Sequence, residues 1–223
     1  HQISDRIIKE LIGQDEEFDS RMAYVCVEQI ASSGPLYRLM VSDSDGFAPQ
    51  EVLKDSNVIG SPSWSPNRKY IAFVSYSEQK SPKVFVYETK TARVTKVADF
   101  EGSAHAPSWS PDSRLLALSL SIDMNRDIYL LDPFTNGQKL TRLTRHSAAD
   151  TSPSWAPNGR SLLFTSDRSG RPQIYRIPVT GGNAARITFQ GRENSRASFD
   201  PTGKTIVMVT NQGNGDQIGV FLS

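Results

Sequence analysis

Cysteine is almost absent from this chain, with one residue, Cys26, among 223. An intrachain disulfide is therefore excluded, and no CxxC pair or Cys/His cluster offers the spacing of a zinc site. Set between Val25 and Val27, Cys26 reads as a small buried side chain. An excess of one charge is equally absent, since 25 Lys+Arg stand against 24 Asp+Glu. With no basic block to follow a phosphate backbone or an anionic bilayer surface, nucleic acid is not expected as a partner. No apolar run approaches the roughly 20 residues of a spanning helix and no signal peptide opens the residues given, so direct membrane insertion is not expected either. Catalytic signatures are missing too: there is no Gly-x-Ser-x-Gly elbow, HExxH, GxGxxG or phosphate-binding Gly-Lys-Ser/Thr loop. The expectation is a protein without catalytic residues, metal or cofactor. Asp43-Ser44-Asp45-Gly46 resembles the start of a calcium loop, but it lacks the downstream ligands and closing glutamate and sits where a hairpin must turn.

Turn formers are plentiful, with 15 Gly and 13 Pro, and they fall in a repeat. Ser-Pro-Ser-Trp-Ser-Pro-Asn begins at Ser61, Ala-Pro-Ser-Trp-Ser-Pro-Asp at Ala106, Ser-Pro-Ser-Trp-Ala-Pro-Asn at Ser152, and a weaker Arg-Ala-Ser-Phe-Asp-Pro-Thr at Arg196. The aromatic anchors Trp64, Trp109, Trp155 and Phe199 are 45, 46 and 44 residues apart. A second marker, Phe85, Tyr129, Tyr175 and Gly219, keeps steps of 44, 46 and 44. Each period reads as four short strands. The Pro-x-Trp strand closes in a Pro-Asn/Asp turn, and an apolar strand follows at 70–75, 115–120, 161–165 and 205–210. The third strand alternates at 84–87, 128–131 and 174–177. A hairpin such as Thr135-Asn136-Gly137 or Thr180-Gly181-Gly182 then leads to a last strand at 140–143 or 184–188. Four antiparallel strands per period of about 40–50 residues is the signature of a β-propeller blade, whereas a β-solenoid uses shorter repeats. The tryptophans are expected to fill the wedge between neighbouring blades.

Upstream, Met22-Ala23-Tyr24-Val25 matches Ile71-Ala72-Phe73-Val74 at a step of 49. The fold class is therefore all-β, with a partial propeller over 21–223: one blade lacking its first strand, three full blades, and one lacking its last. No segment supplies the strand that would close the ring, so these residues are expected to belong to a longer protein with at least one more blade. Residues 1–13 read instead as a short amphipathic helix. Ser4 caps it, Ile3 staples onto Ile8, and Ile7, Ile8, Leu11 and Ile12 form one stripe that ends at Gly13. A solvated linker follows to residue 20.

Strand direction alternates within a blade, so the loops leading into each Trp strand and those joining second to third strands share one face. The lead-in loops are read as 58–61, 101–106, 145–152 and 192–196, and their companions as 77–80, 123–126, 167–171 and 211–216. From this face we read a mixed-charge rim that grips a projecting protein segment, with Ser103, His105, Ala106, Arg145, His146, Asp150, Thr151, Glu193, Asn194 and Arg196 as candidate contacts.

The Ile-Ser-Asp-x-Ile helix, the Arg21-Met22-Ala23-Tyr24-Val25 junction, the Pro-x-Trp turns and Thr165-Ser166-Asp167-Arg168-Ser169-Gly170-Arg171-Pro172-Gln173-Ile174-Tyr175 together resemble the TolB family, the propeller proteins of the bacterial Tol-Pal system. The resemblance implies a non-enzymatic periplasmic scaffold in which an α/β domain precedes a six-bladed propeller and residues 1–20 are the end of that domain. It implies binding of the peptidoglycan-associated lipoprotein Pal, colicin translocation segments on the same face, and contact with TolA through the preceding domain, in support of outer-membrane integrity. Ser103, His105, Ala106 and Thr151 match positions near the Pal contact in that family. Two alternatives remain open: a gating propeller of a prolyl-oligopeptidase-type serine peptidase, and a sugar- or ion-binding propeller.

Overall fold

The computed structural model describes residues 21–32, 34–77, 81–98, 102–135 and 139–222. The helix and linker expected over 1–20, the tip at Asn136-Gly137, and Glu101 and 78–80 of two expected loops lie outside the described residues. The chain divides into two compact units, one through Ile59 and one from Gly60.

In the first unit β1 (Arg21–Ile30), β2 (Gly34–Asp43) and β3 (Gln50–Asp55) form an antiparallel meander, the blade expected to lack its first strand. Arg38 on β2 ties the sheet together by donating to Glu28 on β1 and Glu51 on β3. Asp43-Ser44-Asp45-Gly46 is a hairpin turn: the Gly46 amide donates to the Asp43 carbonyl at 2.9 Å, and the Phe47 amide to Asp45 Oδ1 at 2.9 Å. Cys26, expected to be buried, is exposed. Alternation assigns Val25 and Val27 to one face of β1 and Cys26 to the other, but among the described residues β1 has only β2 beside it and neither Cys26 nor Val27 is covered.

The second unit holds three four-stranded blades and one three-stranded blade, each an antiparallel meander. They are β4 (Ile59–Trp64), β5 (Tyr70–Ser75), β6 (Lys83–Glu88) and β7 (Arg93–Ala98); β8 (Ser103–Trp109), β9 (Leu116–Ile122), β10 (Asn125–Leu131) and β11 (Leu140–Arg142); β12 (Asp150–Trp155), β13 (Ser161–Ser166), β14 (Gln173–Pro178) and β15 (Ala185–Arg186); and β16 (Glu193–Phe199), β17 (Thr205–Asn211) and β18 (Asp216–Leu222). The core lies between sheets. Val74, Val84 and Val86 of one blade pack with Trp109, Leu118 and Leu120 of the next, and Ile128 and Leu130 of that blade pack with Trp155, Leu162 and Phe164 of its successor. Because both faces of a middle strand are covered, β13 reads Ser-Leu-Leu-Phe-Thr-Ser and is buried throughout instead of alternating. The open face of β18 leaves Ile218, Val220 and Leu222 exposed.

The Pro-Asn/Asp turns recur as expected. In each blade of this unit the turn's first amide reaches across its loop, as from Ser110 to Leu115 O and from Ala156 to Ser161 O. The fourth residue is left-handed: Arg68, Ser113, Gly159 and Gly203 have φ of 59, 61, 68 and 72°. Trp109 and Trp155 are wedge residues, with one addition that the sequence did not disclose. Trp109 Nε1 donates to Ser63 O at 3.1 Å and Trp155 Nε1 to Ser108 O at 3.0 Å, so each ring is hydrogen-bonded to the inner strand of the preceding blade.

Between β9 and β10 the chain turns on Asp123 and Met124, with φ of 51 and 61°. Both positions of this two-residue hairpin are left-handed, a geometry that favours glycine. Met124 is fully exposed at the tip. Its strain of about 1–2 kcal/mol exceeds the entropy cost of glycine, about 0.5–1 kcal/mol. Met124→Gly is therefore expected to raise the melting temperature by about 2 °C, measured by thermal denaturation.

Candidate functional site

The inner strands β8, β12 and β16 share a bulge just before the aromatic anchor, where register shifts between His105 and Ser108, Thr151 and Ser154, and Ser195 and Ser198. The residue at the bend is left-handed each time, and also in β4: Ser61, Ala106, Ser152 and Arg196 have φ of 51, 48, 51 and 52°. In three blades the next residue is proline, which has no amide to give a ladder and is tolerated at bulges. Ala197 takes that place in the fourth and the bend persists, so the proline fits the bulge without being its cause. The four bends line a shared recess of about 290 Å³, walled by Pro62, Pro107, Pro153 and flanking small residues.

Beside this recess opens a polar cleft of about 420 Å³. His105 and Ala106 reach it from β8, Thr151 and Ser152 from β12, and Ser195 and Arg196 from β16. Ser119 on β9 and Thr165 on β13 contribute hydroxyls, while Arg126 on β10 and Pro172 complete the lining. The floor is already fixed, because Ser119 Oγ donates to Asp150 O at 3.0 Å and the Arg196 amide to Thr165 Oγ1 at 3.0 Å. Among the described residues no carboxylate lines the cleft. Among the described residues the guanidinium groups of Arg126 and Arg196 make no hydrogen bond or ion pair. Burial, aided by the nearby Arg126 charge, holds the His105 imidazole below the ordinary histidine range. His105 is thus neutral at pH 7, and an NMR titration of its ring carbons should place its midpoint below that of an unperturbed histidine.

Of the ten candidate contacts, His105, Ala106, Thr151 and Arg196 come together in this cleft. Ser103 is half-buried and pairs with Ser121. Glu193 pairs loosely with Arg171, at 3.4 Å. Arg145 and His146 are exposed and do not line it; His146 Nδ1 accepts from the Ala148 amide at 3.0 Å. Asp150 and Asn194 are buried. Two charge-assisted bonds of 2.8 and 2.7 Å hold Asp150 to Arg168, whose guanidinium also lies 5.3 and 4.9 Å from the Phe164 and Tyr175 ring centroids. Asn194 Nδ2 donates to Gln173 Oε1 at 2.9 Å and Gln190 O at 2.8 Å.

Eight of these ten positions were expected in loops and instead lie within strands, and the alternation of a strand explains their division. Ala104, Asp150 and Asn194 occupy one equivalent position and point between blades, whereas His105, Thr151 and Ser195, one residue on, point into the cleft. The lining hydroxyls of Ser119 and Thr165 were missed, although a polar residue repeated at a step of 46 inside an apolar strand is a readable signal. A second repeat supports the outer strands: Thr144 Oγ1 accepts from the Ile128 amide and donates to Asp127, and Thr188 Oγ1 does the same for Ile174 and Gln173. Its sequence signature, Arg142-Leu143-Thr144 and Arg186-Ile187-Thr188, recurs at a step of 44.

The family model described as the TolB beta propeller domain matches residues 8–222. The Tol-Pal system protein TolB of Bordetella pertussis is 40% identical over 184 residues, covering 82% of this chain and 40% of that protein. TolB of Acinetobacter baumannii, a crystal structure, superposes with a TM-score of 0.88 at 33% identity over 100% of this chain and 55% of its own. The chain therefore spans about half the length of these relatives or less. A puromycin-hydrolysing peptidase of Mycobacterium tuberculosis shares the fold alone, with a TM-score of 0.73 at 16% identity over 91% of this chain and 34% of its own.

Proposed function

The chain belongs to the TolB β-propeller family, and on that premise we propose that it is a non-enzymatic periplasmic scaffold of the Tol-Pal system whose cleft face binds a Pal-like peptidoglycan-associated lipoprotein, in support of outer-membrane integrity. Colicin-type translocation segments compete for the same face, and TolA is reached through a preceding α/β domain. The observation that carries this reading is the cleft: equivalent positions of three consecutive blades open one polar socket at their inner edges. A macromolecular contact suits it, since a rim built from several repeats can grip an extended projecting segment with a few anchors. Hydrolysis does not suit it. Ser119 pairs across the strands with His105, but it is buried and its hydroxyl donates to the Asp150 carbonyl, so the imidazole does not activate it.

The test is a calorimetric titration with the soluble domain of the Pal-like lipoprotein from the same cell. Introducing two carboxylates, His105→Glu with Thr151→Glu, is expected to weaken binding at least about a hundredfold. Both positions line open space, so the melting temperature should stay within about 2 °C of the unmodified chain. Undiminished affinity in this double variant would remove the cleft face from the interaction.

A further inference from the structure

We infer that the cleft is a carboxylate socket: the segment it receives carries an aspartate or glutamate side chain, held between Arg126 and Arg196. The inference rests on the reading of this face as a protein-binding site and adds the chemistry of the bound group. Arg126 comes from β10 and Arg196 from β16, so two different blades supply the cationic groups. Among the described residues no carboxylate engages either guanidinium. Arg142, Arg168 and Arg171 of this unit are by contrast bonded to Asp127, Asp150 and Glu193, while Arg145 and Arg192, which also lack a carboxylate partner among the described residues, do not line this cleft. What sets Arg126 and Arg196 apart is that both line one cleft whose described lining includes no acidic side chain. Ser119 and Thr165 spend their hydroxyls within the fold, and Arg196 is held in a left-handed bend that fixes where its side chain starts. Guanidinium groups match a carboxylate in shape as well as charge, which makes this the favoured ligand chemistry.

The test is a selection of fully randomised peptides, fused or capped at both ends so that only side chains carry charge, against the unmodified chain and against Arg126→Gln/Arg196→Gln. Peptides selected by the unmodified chain are expected to be enriched in Asp or Glu at one position. Replacing that acid with Asn or Gln should weaken binding about tenfold or more, and the enrichment should vanish with the double variant. Both side chains reach solvent, so the variant should melt with the unmodified protein. No selected binder, no acidic enrichment, or enrichment that survives the double variant would each overturn the socket. Competition separates this inference from the reading beneath it. Acidic peptides that the Pal-like lipoprotein fails to displace leave the socket standing and remove that lipoprotein from this face. A lipoprotein that binds the unmodified chain and the arginine variant equally well, with no acidic enrichment among the peptides, leaves the scaffold role standing and removes the socket.

Discussion

Replacing Arg168 with methionine is expected to destabilise the protein by about 3–5 kcal/mol, lowering the melting temperature by roughly 10 °C or more at this chain length. The reason is what stays behind. Asp150 is fully buried and its two oxygens take their charge-assisted bonds from the Arg168 guanidinium, whose Nε also donates to Ser166 Oγ at 2.9 Å. The side chain of Arg168 is 16% exposed and lies over Phe164 and Tyr175, so methionine restores part of the packing and none of the compensation. A carboxylate left in that position keeps its desolvation cost with no opposite charge near it. The companion variant Asp150→Leu/Arg168→Met removes the orphan, and it is expected to recover to within about 2 kcal/mol of the unmodified chain, since a buried ion pair exchanged for apolar groups is near neutral. Urea denaturation of these two variants, of Asp150→Leu alone and of the unmodified chain closes the cycle. A single-variant loss below about 1 kcal/mol would mean that water reaches Asp150 and that the pair is not what anchors the start of β12.

The blades were legible because their signal is redundant. The Trp anchors and the third-strand aromatics keep the same step independently, so the period survives weak copies such as Phe199 and Gly219. Apolar middle strands were placed almost to the residue: 70–75 coincides with β5, and 161–165 falls one residue short of β13. Last strands were less legible. Residues 184–188 read as five β residues, yet only Ala185–Arg186 forms the ladder, because the Ile174 amide is taken by the Thr188 hydroxyl instead of a backbone carbonyl. A side chain that replaces a ladder bond leaves no trace in hydropathy. Cys26 failed for a different reason, since alternation states which face a residue is on and not whether anything covers it.

The site was half legible for the same geometric cause. Repetition located the inner strand of each blade, but treating its start as loop hid the two-residue alternation that separates Asp150 from Thr151 and Asn194 from Ser195. The bulge was hinted at only by proline following Ser61, Ala106 and Ser152, because a register shift of one residue is a property of the pair of strands and not of either alone. Arg126 was seen as a loop residue; its lack of an acidic partner is visible only once the blades are assembled.

Trp155→Ala is expected to cost about 3–5 kcal/mol, and its interest lies in how that loss divides. The indole is 8% exposed among Leu143, Leu162 and Ile177, and Nε1 reaches the carbonyl of Ser108, next to the bulge that starts at Ala106. Trp155→Phe keeps most of the apolar contact and drops the bond, leaving that carbonyl short of a donor, for a loss of about 1–2 kcal/mol. Phenylalanine fits the position, since Phe199 already occupies it in the following blade. Trp64 is the control. Its Nε1 is buried and has no hydrogen-bond partner among the described residues, so Trp64→Phe removes an unsatisfied donor and should cost less than Trp155→Phe or stabilise. Measured side by side in denaturant, equal losses for the two phenylalanine variants would assign the anchors' role to ring area alone. A larger loss at Trp155 makes the indole bond a fastening between blades, and one that ends beside the cleft, so that Trp155→Phe should also loosen partner binding where Trp64→Phe does not.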